Sequence, residues 1–264
     1  MSITRYFIMN KNSACKQVRK DIVRMALQSK TGHISSALSM VEILVCSFFN
    51  MRSGKDKFIL SKGHGALCLY ATLKYFEYMT DSDIMKYHNK EFSFTSFISD
   101  PFPEGVFFTS GSLGHGLSVA VGSALSDRLN GNNYRTICVV SDGELQEGSI
   151  WEAALYAGAN KLNSLTVIID NNKLQAFGET DDVVPMGDIA QKFTSFGFHS
   201  ISIDGHDTNA INLALETNTF DKPLAIIANT TKGKGISFME NSLSWHYLPI
   251  TEELEKVVKK EIGL

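Results

Sequence analysis

"VVSDGELQEGSIWEAALYAGANKLNSLTVIIDNN", residues 139–172, decides the fold. Two short runs rich in β-branched residues, 136–140 and 165–169, bracket a helix-like stretch at residues 144–162. Runs this short and this apolar predict strands buried on both faces, and the stretch between them has the length of a crossover helix. Strand, helix and strand in that order form a βαβ unit with parallel strands. Each apolar run ends on a small oxygen-bearing side chain, Asp142 after the first and Asn172 after the second.

Outward from this unit the pattern repeats. Residues 200–203 and 224–228 are two more β-branched runs separated by helical stretches. The expected fold is therefore α/β, a mostly parallel sheet flanked by helices on both faces. Upstream, "KFILSKGHGALCLYATLKYF" at residues 57–76 reads as a short apolar run, a glycine-bracketed turn around His64, and a helix. From Ser13, residues Cys15, Val18, Ile22, Val23 and Ala26 recur at helical spacing, with Gly32 as the expected stop. Ser39 with Glu42 reads as a capping box opening a helix over residues 40–49. Residues 91–110 hold Pro101, Pro103 and Gly105 among aromatics with no period, which predicts an ordered loop of a length that tends to be functional. Residues 250–264 form a charged helical tail. With no repeat, low-complexity tract or Pro/Ser linker, residues 1–264 are expected to form a single domain.

Of 264 residues, 44% are hydrophobic and 20% charged, so the chain can bury a proper core. The net charge of −3, spread without blocks of like sign, gives no footprint for nucleic acid or an anionic membrane surface. Small molecules and other proteins remain as partners. Cys15, Cys46, Cys68 and Cys138 lie in apolar runs without a CxxC pair, which predicts reduced core thiols and a cytoplasmic location. The first residues lack a secretory apolar region, and no stretch is long and apolar enough to span a membrane.

Asp142 and Asn172 both stand just beyond carboxyl ends of predicted neighbouring strands, the edge where open α/β sheets bind ligands. Right-handed crossover geometry puts both ends on one edge, so a carboxylate and an amide oxygen can converge on a hard cation such as Mg²⁺, with Ca²⁺ a possible substitute. About three octahedral positions then remain for phosphate oxygens and water. Gly143 lets backbone approach phosphate and is expected to open a helix whose N-terminus favours anions. Asp-Gly and Asn-Asn are also common turn residues after strands, and the pair alone does not choose between the two readings.

An Asp-Gly closing one strand and an Asn closing the next resembles the thiamine diphosphate motif, and "SDGELQEGSIWEA" with "IIDNNKLQAFG" resembles the diphosphate-binding domain of the transketolase family. The resemblance extends to "KTGHISSALSMVEIL", "LSKGHGALCLYATL", "TSGSLGHGLSVAVGSAL" and "ANTTKGKGISFMENSLSWHY". It implies thiamine diphosphate as cofactor, with Mg²⁺ held by Asp142, Asn172 and the main-chain oxygen of Leu174. Gly143 and Glu144 would belong to the cofactor-binding set, Gly143 against the diphosphate. It places His64 and His246 near the diphosphate, His246 also facing substrate, and Gly111, Ser112 and Leu113 beside the aminopyrimidine. His33 resembles a donor-binding histidine, and Glu147 and Glu152 match two acids at the subunit interface that join two active sites. Imidazoles with an ordinary pKa near 6.5 suit the proton transfers of ketol transfer, while the cofactor supplies the electron sink.

Trp151, Ala153, Ala154, Tyr156 and Ala157 leave little room for an exposed face, so Glu147 and Glu152 are expected to be buried or paired. Gly116, Ala120 and Ala124 form a small-residue stripe that serves close packing within the chain or against another subunit. His88, His199 and His206 carry no motif and are read as ordinary packed, hydrogen-bonded histidines.

Full-length transketolases continue into a pyrimidine-binding half, to which the resemblance found here does not extend. The resemblance therefore implies the N-terminal subunit of a split transketolase, completed by a C-terminal subunit in a two-fold pair of heterodimers, a heterotetramer acting on ketose and aldose sugars or sugar phosphates. Residues 97–101 lack the histidine of a His-Pro pair found in many relatives, with Ser99 or Asp100 as substitutes or a changed donor preference. His115 stands where full-length enzymes usually have Gln. Two other readings remain open: a non-catalytic cofactor-binding subunit, and a different thiamine diphosphate-dependent carboligase.

Overall fold

The computed structural model describes residues 10–52, 54–88, 95, 106–109 and 111–264. Among these, the strands are β1 (Lys57–Leu60), β2 (Phe108–Thr109), β3 (Thr136–Ser141), β4 (Leu165–Asn171), β5 (His199–Asp204) and β6 (Leu224–Asn229). They form one sheet in the order β2-β1-β3-β4-β6-β5, and every pairing is parallel. The helices are α1 (Lys11–Ser29), α2 (Ile34–Ser39), α3 (Val41–Asn50), α4 (Ala66–Tyr75), α5 (Asp81–Ile84), α6 (Gly116–Leu129), α7 (Gly148–Ala159), α8 (Thr180–Val183), α9 (Ile189–Ser195), α10 (Thr208–Leu215) and α11 (Glu252–Ile262).

Side-chain alternation along the central strands builds two cores. Ile137, Val139, Ile168 and Ile226 face a cluster shared with α1, α2, α3, α4 and α10. Cys138, Val140, Val167, Ile169 and Ile227 face the other cluster, with α6, α7 and α9. Successive side chains of a strand point to opposite faces, so a strand apolar at every position is what a sheet covered on both sides requires. All four cysteines are free and buried in these cores. No helix among the described residues is long and apolar enough to cross a membrane.

Several local expectations are corrected. The stretch after β3 is not one helix: Gly143–Gln146 is a tight 3-10 turn, Glu147 is extended, and α7 begins only at Gly148. Ser39 and Glu42 make no capping box, because α3 has Met40 at its N-cap with no side-chain cap. Ser39 instead closes α2 and donates to Asp170, and Glu42 is drawn to Arg19 and His206. α1 stops at Lys30, which takes the left-handed conformation, rather than at Gly32. Gly32 has another duty: a Cβ there would lie 2.2 Å from the Tyr247 carbonyl oxygen. Of the predicted loop at residues 91–110, residues 91–94, 96–105 and 110 lie outside the described residues, residues 97–101 included. Phe108–Thr109 is the edge strand β2, paired with β1.

The order β2-β1-β3-β4 means that the chain turns outward after β1 and inward again at β3. That reversal falls between β1 and β3, the position at whose carboxyl edge open α/β sheets take ligands.

Candidate active site

The ladder between β3 and β4 aligns Ser141 with Asp170, so Asp142 and Asn172 emerge beside each other at the carboxyl edge. Asp142 is 2% exposed. Its oxygens accept from the backbone N–H groups of Gly143 and Lys173 and from Thr180 Oγ1 at 3.1 Å. These bonds tie the turn after β3 to the loop after β4. Asn172 Oδ1 accepts from Leu174 N at 3.2 Å, and Lys173 adopts a left-handed φ of 63° that turns the chain back at this point. The carbonyl of Leu174 is met by the Lys232 ammonium at 2.7 Å.

Three imidazoles form the opposite wall. Ring centroids lie 6.0 Å apart for His33 and His64, 5.5 Å for His33 and His246, and 6.1 Å for His64 and His246. The turn Gly63–Gly65 after β1 carries His64. His33 N donates to the His246 carbonyl at 3.2 Å and Ser35 Oγ to the Trp245 carbonyl at 2.8 Å, so the start of α2 grips the segment that carries His246. Lys232 Nζ also lies 2.7 Å from His246 Nδ1.

The third wall is the glycine-rich turn before α6. Glu144, fully buried, accepts from Ser61 Oγ, from Gly114 N at 2.8 Å and from Ser141 N at 3.2 Å. It pins this turn to the ends of β1 and β3, so its oxygens hold the walls together. His115 Nδ1 lies 3.2 Å from the carbonyls of Ser112 and Leu113 and must donate to them. Gly116 sits so close to Ser61 that a Cβ would lie 2.4 Å from its Oγ. The stripe Gly116, Ala120 and Ala124 is buried within the chain, α6 packing on β3 and α7, so it serves internal packing.

The electrostatics of the crevice are those of a cation and anion site. Burial, reinforced by the charge of Asp170, raises the Asp142 carboxyl to about 6. Burial and the nearby Lys62 charge lower Lys232 to about 8. Burial and then Lys232 lower His246 to about 3, and the same pair of causes lowers His33. Burial takes His64 well below its ordinary value. All three imidazoles of the chain by itself are therefore neutral at pH 7, a correction to the expectation that they titrate near 6.5. An anion placed beside them would offset the lysine charges and move them back up.

The donor set fits a magnesium diphosphate. Asp142 is a buried carboxylate at a raised pKa, the Leu174 carbonyl already attracts one cation, and Asn172 adds a neutral oxygen, all hard ligands for Mg²⁺. Lys232 and His64 would offer donors to phosphate oxygens on the other side.

Glu147 and Glu152 are not buried. Both are exposed, as are Leu155 at 54% and Tyr156 at 45% on the same face of α7. The expectation of a helix without an exposed face fails, because Ile150, Ala153, Ala154, Ala157 and Gly158 fill its inner side. His206 is a packed histidine, with Nδ1 3.0 Å from Glu42 and Nε2 accepting from Thr231 N. Lys62, Asp170 and Lys232 lie among the candidate site residues by their contacts, though the motif reading did not name them; each follows or ends an apolar strand run, and that position was the available signal.

The all-parallel sheet with helices on both faces is shared with solved transketolases, which have the thiamine diphosphate-binding α/β fold. The chain belongs to the transketolase family, matching the domain described as transketolase, thiamine diphosphate binding domain, over residues 10–264. It is 36% identical over 242 residues to a 6-deoxy-6-sulfo-D-fructose transketolase subunit of Clostridium sp. (strain MSTE9), covering 88% of each chain. To an apulose-4-phosphate transketolase subunit of Phocaeicola vulgatus it is 34% identical over 256 residues, covering 92% of this chain and 90% of that one. The crystal structure of transketolase from Campylobacter jejuni superposes with a TM-score of 0.85 at 27% identity, covering 100% of this chain. The chain spans 43% of that transketolase's length.

Proposed function

We propose that this chain is the N-terminal, diphosphate-binding subunit of a two-component transketolase, folded as a single domain and working in the cytoplasm. With a C-terminal subunit that carries the pyrimidine-binding half, it transfers a two-carbon ketol unit from a ketose to an aldose. The observation that carries this reading is the convergence of Asp142, Asn172 and the Leu174 carbonyl at neighbouring strand ends, facing three clustered histidines. Relatives of matching length named as transketolase subunits support the two-subunit form.

In this reading Asp142, Asn172 and the Leu174 carbonyl hold Mg²⁺, for which Ca²⁺ can substitute. When bound, thiamine diphosphate supplies the nucleophilic carbon and the electron sink. The protein's part is binding, orientation and proton handling. Gly143 has no side chain to stand between backbone and diphosphate, and His64 and Lys232 donate to its oxygens. Gly111, Ser112 and Leu113 lie along the aminopyrimidine. His246 and His33 face the donor's hydroxyls, where a neutral imidazole holds or takes a proton at a ring nitrogen. Glu147 and Glu152 sit on the face that meets another subunit.

The test is reconstitution. The chain mixed with a pyrimidine-half subunit, thiamine diphosphate and Mg²⁺ is expected to transfer ketol units from hydroxypyruvate to an aldose. A well-folded complex that binds cofactor and shows no turnover would leave a non-catalytic binding subunit instead. Asp142→Ala is expected to lower Mg²⁺-dependent cofactor affinity by about 100-fold or more, measured by calorimetry on protein whose thermal midpoint is checked alongside. Undiminished affinity contradicts the assignment.

A further inference from the structure

Asp170, the penultimate residue of β4, is fully buried two positions before Asn172. Four donors from four parts of the chain meet its carboxylate: the Lys62 ammonium from the turn after β1, Ser39 Oγ from α2 at 2.6 Å, Thr230 Oγ1 from the end of β6, and Asn172 Nδ2 at 3.2 Å. Lys62 is as buried as its partner. Placing a full ion pair in the interior is a poor way to gain stability, since hydrophobic residues of similar volume do as well or better. Its presence beneath the crevice calls for another reason.

The hydrogen bonds supply one. A backbone N–H only donates, so the Asn172 atom facing Leu174 N must be the amide oxygen. The Asp170 oxygen that receives Lys62 and Ser39 is an acceptor, so the Asn172 atom facing it must be the amide nitrogen. Both contacts assign the amide the same way, with oxygen toward Leu174 and nitrogen toward the buried Asp170. An asparagine free to turn over would present two N–H donors outward in half of its arrangements, and a cation cannot use them.

We propose that Asp170, held in place by Lys62, is a positioning residue that locks the Asn172 amide with its oxygen turned out to receive the divalent cation. This rests on the cofactor reading above. It also explains why four parts of the chain, from β1, α2, β4 and β6, are drawn to one carboxylate: the orientation of a single amide is set by the assembled fold.

Calorimetric titration of Mg²⁺ into the full chain with thiamine diphosphate tests it. Asp170→Asn, whose amide can meet either end of Asn172, is expected to weaken Mg²⁺ binding by about 10- to 100-fold. Adding Asn172→Asp on that background is expected to restore most of the loss, because a carboxylate presents oxygen at both ends and can accept from the amide introduced at position 170. A merely structural Asp170 would leave the double variant as weak as the single one, and that result, or native affinity in the single variant, overturns the lock. Should Asp170→Asn fail to fold, the unmodified chain still decides: the Asn172 side-chain amide protons are expected to exchange slowly in NMR spectra with and without Mg²⁺. Exchange at the rate of a free amide overturns the proposal. If the unmodified chain binds no Mg²⁺ while its Asn172 amide stays protected, the cofactor reading fails and the lock stands as geometry alone.

Discussion

At the scale of single residues, the site is governed by what burial does to charge. His246 illustrates this, with its pKa pulled to about 3 by burial and by Lys232. A folded pKa depressed below the unfolded value means that the unfolded chain takes up the proton first as pH falls. Stability from His246 is therefore complete above about 6.5 and is lost as pH drops from there toward about 3. Between pH 7 and pH 5 the loss traceable to this one group should be about 1 to 2 kcal/mol. Urea unfolding at the two pH values measures it, and His246→Gln should show a shallower fall by that amount; equal slopes contradict the assignment. The same residue separates binding from turnover, since His246→Ala should spare cofactor affinity within a few-fold while lowering kcat by about 100-fold. Residues of this scale were legible only in part. Asp142, Asn172 and the histidines stand in motifs whose chemistry is readable from type and position. Lys62, Asp170 and Lys232 are ordinary charged residues in sequence, and only the assembled fold buries them against one another.

At the scale of elements, the four β-branched runs became strands with ends shifted by a residue or two: β3, β4 and β6 are largely apolar because both their faces are covered, while the edge strand β5 alternates serine with isoleucine. The Ser39 and Glu42 pair misled because a capping box is a local preference of about 1 kcal/mol. Glu42 bridges Arg19 and His206 instead, and Ser39 reaches Asp170, partners far away in sequence that no local pattern encodes. Interruption of the crossover helix has a similar origin: Glu144 turns inward to the ends of β1 and β3, contacts that no local pattern encodes. Glycine marks where elements touch most closely. A Cβ on Gly158 would lie 1.7 Å from the Phe196 carbonyl oxygen, a backbone atom that cannot swing aside. Gly158→Ala should therefore cost about 3 kcal/mol by forcing α7 from the segment after α9, read as a drop in the denaturation midpoint. A change below about 0.5 kcal/mol would mean the helix sits farther off than described.

At the scale of the whole molecule, parallel strands and helices on both faces were readable from alternation along the sequence, while the strand order was not. Order is set by which crossovers pack, and nothing in a run such as residues 200–203 says that its strand lies outside β6. The outer face of α7, where Glu152, Leu155 and Tyr156 are exposed one turn apart, likewise has no partner among the described residues. If that face meets another subunit, Leu155→Asp should leave the fold of the isolated chain intact and weaken assembly with the pyrimidine-half subunit, seen as a lower mass by light scattering; unchanged assembly contradicts that use of the face.

Diffraction from crystals grown with thiamine diphosphate and Mn²⁺ in place of Mg²⁺ tests the account most directly. It should show one anomalous peak about 2.1 Å from an Asp142 oxygen, Asn172 Oδ1 and the Leu174 carbonyl, with diphosphate oxygens completing its shell. A peak elsewhere, or a cofactor whose phosphates avoid the ends of β3 and β4, contradicts it.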